Sequence, residues 1–206
     1  MNILSFDTCL NKTYVTLYDS GKFDNKIILS TDKNYHSAFL ISTIIDVLKS
    51  HNKTPKDIDY IATDIGPGSF TGIRACTTVA RMLAQQLEIG LVGVSSLEIL
   101  SRVNGGNDVV ALDARKNKAY LYDNEILGAI DLSEVENVIK GRNVITDNNL
   151  LEILKPFSRE IVSYEAFDYP LGEILSAIAV EKIESGYDTD WRLLKPLYIQ
   201  PPPVYK

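Results

Sequence analysis

Ile3-Leu4-Ser5-Phe6-Asp7-Thr8-Cys9-Leu10-Asn11-Lys12-Thr13-Tyr14-Val15-Thr16 decides the fold, because the second half of the chain says it again. Ile3 to Phe6 is a short apolar run that stops at an acid. A polar turn follows, and then the alternation Thr13-Tyr14-Val15-Thr16-Leu17-Tyr18. Such a pattern predicts two antiparallel strands joined by a tight connection. Further on, Val109-Val110-Ala111-Leu112 is again an apolar run closed by an acid, Asp113. Asn117-Lys118-Ala119-Tyr120-Leu121-Tyr122 then aligns without a gap on Asn11-Lys12-Thr13-Tyr14-Val15-Thr16, so that Asp7, Asn11, Lys12 and Tyr14 recur at one constant offset. The repeat predicts an α/β protein of two duplicated lobes. Asn104-Gly105-Gly106-Asn107, a strong turn signal, sets the expected boundary. The lobes are then 1–103 and 104–206, with the tail free to return to the first.

Working outward, Ser20-Gly21 turns the chain into a third strand around Ile27-Ile28-Leu29. Helices are predicted from Ser37 to Ser50 and from Gly72 to Gln86, with a strand at Tyr60 to Ile65 between them. A third helix starts at Ser95, where Ser95 and Glu98 have capping-box spacing. A weak strand falls at Val144-Ile145. A helix runs from Pro170 to Glu184 and is closed by Gly186. Pro201-Pro202-Pro203 must be extended.

The 206 residues suffice for a real core, and 45% hydrophobic with 23% charged residues is the balance of a folded chain. A formal charge of -6 argues against a surface that grips nucleic acid by itself. Cys9 and Cys76 lie far apart in sequence and away from the histidines, too few for a disulfide framework or a zinc site. An acid at position 7 precludes a signal-peptide apolar region, and no apolar run is long enough to span a membrane. A cytoplasmic protein with no membrane contact is expected.

Gly66-Pro67-Gly68-Ser69-Phe70-Thr71-Gly72-Ile73-Arg74 follows a strand and opens a helix, where anions commonly bind. It lacks the Lys-Ser/Thr pair of a Walker loop and the third glycine of a dinucleotide loop, and Pro67 has no amide to offer. A sharp turn with close packing at Gly72 is the expected role. This segment resembles the signature of the bacterial TsaB (YeaZ) family. Asp7-Thr8, Tyr35-His36-Ser37, Gly93-Val94-Ser95-Ser96-Leu97, Asp113-Ala114-Arg115 and Lys195-Pro196-Leu197-Tyr198-Ile199 fall in that family's order. The resemblance covers nearly the whole chain and is weakest from Glu125 to Pro170.

The resemblance implies an actin-like, sugar-kinase-like fold of two ribonuclease-H-like lobes. It also implies a part in forming N6-threonylcarbamoyladenosine at position 37 of tRNAs that read codons beginning with A. The implied partners are a TsaD-like transferase, bound as a heterodimer, and a TsaE-like ATPase. Transfer RNA would be met through the complex, and the chain would form a homodimer when alone. An ATP-dependent small-molecule kinase of the same superfamily and a metallopeptidase are the alternatives.

The residues favour a subunit without chemistry of its own. Asp7-Thr8-Cys9-Leu10 and Asp113-Ala114-Arg115-Lys116 occupy the places of phosphate-binding turns, yet neither contains glycine to ease the left-handed geometry of a phosphate nest. His36 has Leu40, not a second histidine, four residues on, and His51 is the only other imidazole. No catalytic, cofactor-binding or metal-binding residue is therefore expected, and no cofactor.

The helices carry more apolar surface than one core consumes. Leu40-Ile44-Val47 and Ile41-Ile45-Leu48 form two overlapping stripes on the first. The second has only Arg74 and Arg81 as charges before Gln85. Deep burial within the lobe would explain this, and so would packing on the lobe with one side and on a partner with the other. In the family the resemblance points to, these helices pair with the transferase. On that reading the expected contacts are His36, Leu40, Thr43, Ile44, Val47, Phe70, Ile73, Arg74, Thr77, Thr78 and Arg81.

Overall fold

The computed structural model describes residues 1–28, 39–106 and 108–200. The apolar runs form two five-stranded sheets of identical plan. In the first, β1 (Asn2–Asp7), β2 (Thr13–Asp19), β3 (Lys22–Ile28), β4 (Tyr60–Asp64) and β5 (Gly90–Val94) lie in the order β3-β2-β1-β4-β5. In the second, β6 (Val109–Arg115), β7 (Lys118–Asp123), β8 (Glu125–Asp131), β9 (Asn143–Thr146) and β10 (Glu160–Ser163) lie in the order β10-β9-β6-β7-β8. Each sheet is an antiparallel meander with two parallel strands added beside its first strand. Both are ribonuclease-H-like, and the chain has the actin-like α/β fold of two such lobes.

The helices among the described residues are α1 (Leu40–Ser50), α2 (Phe70–Leu87), α3 (Ser96–Ser101), α4 (Leu132–Ile139), α5 (Leu151–Leu154) and α6 (Leu171–Glu184). None is long and apolar enough to cross a membrane. Strand alternation divides the first sheet's neighbours. Leu4, Phe6, Val15, Leu17, Ile61 and Leu91 share a core with Leu40, Ile44, Val47 and Leu48 of α1 and with Ile73, Cys76, Ala80 and Ala84 of α2. The opposite face takes α6, whose Ser176 hydroxyl donates to the Ser5 hydroxyl at 2.8 Å.

The chain divides into one unit made of Met1–Ser96 with Pro170–Leu197 and a second made of Leu97–Tyr169 with the chain from Tyr198 on. This differs from the expected division at 103/104, and the return is longer than a tail. The whole of α6 and the stretch behind it belong to the first unit. The reason is burial: without α6, one face of β1 and β2 would lack its cover. Behind α6, the Leu91 amide donates to the Thr189 carbonyl (2.8 Å) and the Leu197 amide to the Ile65 carbonyl (2.8 Å).

A second difference concerns the turn after Asp113. Without glycine it was expected to resist left-handed geometry. Yet Arg115, Lys116 and Asn117 have φ of 60°, 51° and 61°. Lys118 pairs with Arg115 across the hairpin, so Lys116-Asn117 is a two-residue loop with both φ positive, as the strand twist demands. Asn tolerates this conformation better than most residues.

Close packing at the start of α2 is the tightest constraint in the first unit. A Cβ on Gly72 would lie 1.8 Å from the Thr8 carbonyl oxygen, and one on Gly68 would lie 2.4 Å from that of Cys9. Both obstacles are backbone and cannot rotate away. Gly72→Ala is therefore expected to lower unfolding free energy by about 3 kcal/mol or more. Thr71→Ala, at the exposed neighbour, should stay within about 0.5 kcal/mol. Urea denaturation of the two variants checks the contrast.

Candidate functional site

Two regions of the first unit hold the residues singled out from sequence: the junction of β1, β4 and α2, and the outer faces of α1 and α2. At the junction, the Asp7 carboxylate accepts from the amides of Cys9 (2.5 Å) and Leu10 (3.4 Å). These amides head the turn where an actin-like ATPase would hold phosphate, and here a side chain of the same turn occupies them. Ser69 donates its amide to the Cys9 carbonyl (2.8 Å), and the Thr8 hydroxyl donates to the Gly72 carbonyl (2.6 Å). In the glycine loop, the Gly66 amide is held by Asp64 Oδ1 (2.6 Å) and that of Gly72 by the capping Ser69 hydroxyl (3.2 Å). The amides of Cys9, Leu10, Gly66, Ser69 and Gly72 are thus spent on the fold.

Asp7 and Asp64 are both fully buried. Burial is the main cause that lifts the Asp7 carboxyl to about 6, against hydrogen bonds that lower it. Burial, and then the charge of Asp7, holds Asp64 well above the usual carboxylate range. The Ser96 hydroxyl donates to both oxygens of Asp64 (2.8 and 2.7 Å). Cys9 and Cys76, distant in sequence, meet here with their sulfurs 3.4 Å apart.

The second unit repeats this plan in a more open form. Thr63 donates its hydroxyl to Phe6 across β4–β1 (3.1 Å), and Thr146 donates to Ala111 across β9–β6 (2.7 Å). Asp147 follows Thr146 as Asp64 follows Thr63. It accepts from the amides of Asp113 (2.5 Å), Asn149 (2.9 Å) and Leu150 (3.1 Å), and Asn149 donates its side-chain amide to Asp113 (3.0 Å). Burial raises the Asp147 carboxyl above its ordinary value. Sequence reasoning missed this pair of acids. The signal was the recurring Thr-Asp at 63–64 and 146–147, hidden because its spacing from the first acid differs between the units.

The expected contact residues separate by exposure. Phe70, Arg74, Thr78 and Arg81 are exposed, with the Arg74 guanidinium 5.2 Å from the centre of the Phe70 ring. Leu40, Thr43, Ile44, Val47, Ile73 and Thr77 are buried in the first unit. They are not available as a surface, and His36 lies outside the described residues. The correction has a simple cause. Of the two stripes on α1, the one chosen as outward faces the sheet. The outward one, a residue further round, carries Ile41 (41% exposed) and Ile45 (44%), with Phe39 (51%) before the helix. On α2, Met82 is 48% exposed beside Arg81 and Thr78. Because α1 and α2 bury their inner stripes in the same core, these outer stripes turn to the same side of the sheet.

The family model described as "TsaD: tRNA N6-adenosine threonylcarbamoyltransferase" matches residues 29–177. The chain is 31% identical over 147 residues to the tRNA threonylcarbamoyladenosine biosynthesis protein TsaB of Escherichia coli (strain K12), which covers 68% of this chain and 63% of that protein. To the protein of the same name from Bacillus subtilis (strain 168) it is 31% identical over 170 residues, covering 79% of this chain and 69% of that one. The match thus spans less than two thirds of the Escherichia coli protein's own length. Among solved structures it is similar to YeaZ from Pseudomonas aeruginosa, with a TM-score of 0.78 at 21% identity, covering 96% of this chain and 99% of the other. That likeness concerns the fold.

Two neighbouring substitutions test the phase of α1. Ile44→Asp places an unpaired charge in the core, a cost of several kcal/mol that should unfold the first unit. Ile45→Asp should leave the thermal transition within a few degrees of wild type. Far-UV circular dichroism melts of both variants check this.

Proposed function

Since the chain belongs to the TsaD-type family and, within it, to TsaB (YeaZ), we propose that it is a non-catalytic subunit that binds and activates a TsaD-like threonylcarbamoyltransferase. The reaction served is formation of N6-threonylcarbamoyladenosine at position 37 of tRNAs reading codons that begin with A. A TsaE-like ATPase completes the system, tRNA is met through the complex, and the setting is the cytoplasm. The observation that carries the reading is the two-sided character of α1. Its inner stripe completes the core of the first unit, yet Ile41 and Ile45 remain exposed beside Phe39. Water disfavours such a surface by roughly 25 cal/mol per Å². A helical partner face would cover it, with Arg74, Thr78 and Arg81 at the polar rim of the contact. The same face accounts for self-association when the partner is absent.

The engaged amides of the Asp7 turn and the glycine loop support a role without ATP chemistry in this chain. Activation then has to come through the partner. A bound subunit shifts a conformational equilibrium only by its differential affinity for the two states, and a tenfold gain needs about 1.4 kcal/mol.

Reconstitution with a cognate TsaD-like enzyme, threonylcarbamoyl-adenylate, tRNA and the ATPase tests the proposal, with modified adenosine read by mass spectrometry. Product should rise at least tenfold when this chain is added, and this chain without the transferase should give none. Ile45→Asp and Met82→Arg, both folded, should lose most of the gain. Equal product with and without the chain would overturn the reading. A calorimetric titration of the isolated chain with Mg-ATP is expected to show no stoichiometric binding, and micromolar binding would instead favour a kinase.

A further inference from the structure

We propose that Asp7, Cys9 and Cys76, joined by the main-chain carbonyl of Asp64, form a zinc site at the heart of the first unit. One ligand atom from each of the three side chains lies within 4.8 Å of the others. The two sulfurs are 3.4 Å apart, and the Asp64 carbonyl oxygen is 3.1 Å from Cys76 Sγ and 3.6 Å from Cys9 Sγ. Tetrahedral zinc, with bonds of about 2.3 Å to sulfur and about 2.0 Å to oxygen, needs ligand atoms separated by roughly 3.3–3.8 Å. The two sulfurs and the Asp64 carbonyl oxygen therefore already stand near the required spacing, and the Asp7 carboxylate closes on them when the ion binds. A set of two sulfurs and two oxygens is also one that zinc accepts and that calcium or magnesium would not choose.

The donors are closed off from solvent. Asp7, Cys9, Asp64 and Cys76 are all buried at 2% exposure or less. Tyr14, at 2% exposure, feels the same four groups, and its hydroxyl has no hydrogen-bond partner among the described residues. Uncompensated polar groups of one sign are costly in a packed interior. A divalent ion bound by two thiolates and the Asp7 carboxylate offsets the two charges that the thiols take on when they coordinate. Binding releases one proton from each thiol, so the gain comes from coordination at an unchanged net charge. The site would be closed, with four protein donors, and hence structural. It ties the Asp7 turn to α2, the helix that carries part of the exposed face. Sequence alone hid the site because its cysteines are 67 residues apart.

The full chain, purified without chelator from zinc-supplemented cells, should contain about one zinc per molecule by elemental mass spectrometry. Refolding the chelated protein with cobalt(II) should give an intense near-ultraviolet thiolate-to-cobalt absorption. Cys76→Ala and Cys9→Ser should each abolish that absorption and lower zinc content at least tenfold. If one variant fails to fold, the other and the wild-type cobalt spectrum decide. Three results would overturn the site. The first is a folded protein holding less than about a tenth of an equivalent after dialysis against zinc. The second is cobalt bound without the thiolate absorption, which means ligation elsewhere. The third is a Cys9–Cys76 peptide pair two hydrogens lighter than the dithiol, which means a disulfide.

Discussion

The approach of α2 to the turn between β1 and β2 is the contact on which the first unit depends. Only a hydrogen at position 72 lets the helix start against the Thr8 carbonyl, where a methyl carbon would come within 1.8 Å. From that one allowance several things follow. Thr8 can donate to the Gly72 carbonyl, Ser69 can donate to the Cys9 carbonyl, and Cys76, one helical turn further on, arrives beside Cys9. The glycine-rich segment is thus used for helix-to-turn packing, and its amides serve the fold.

The two units show what happens when one plan is kept under different constraints. Sheet order and the threonine that ties the fourth strand to the first are the same in both. The acids that follow differ in setting. Asp7 and Asp64 are shut in with two thiols, while Asp113 and Asp147 are linked through backbone amides and Asn149 in a looser arrangement. The connecting turns diverged too. After β1 the paired Asp7 and Tyr14 are joined by a longer turn, whereas after β6 the loop is a two-residue hairpin, although Asp113 still accepts from the Arg115 amide (2.7 Å) as Asp7 does from that of Cys9.

Much of this was legible in the residues. The repeat around Asp7 and Asp113 implied the duplicated sheets, because strand periodicity and a terminal acid survive without help from distant contacts. The glycine-rich segment announced close packing for the same local reason. What could not be read was phase and proximity. On α1 the stripes Leu40-Ile44-Val47 and Ile41-Ile45-Leu48 are equally apolar and differ by one residue, about 100° of rotation. Only the sheet decides which faces inward, and it took Leu40, Ile44 and Val47. The pairing of Cys9 with Cys76 is likewise a product of tertiary structure. Beyond α4, β9, α5 and β10 have four residues each, too few to leave a trace in periodicity beyond Val144-Ile145.

The position of α6 has a consequence for how the molecule is made. The second unit has all five of its strands once Ser163 has been synthesised, and its main part, Leu97–Tyr169, lies between the two segments of the first. The first unit has its five strands by Val94 but must wait for Leu171–Glu184 to cover β1 and β2, and for Leu194 to join the core. On a ribosome, which delivers the chain from its N-terminus, the sheet of the later unit can form before the earlier one is covered. Until then the Ile3 and Ser5 face of β1 lacks the cover that α6 gives it.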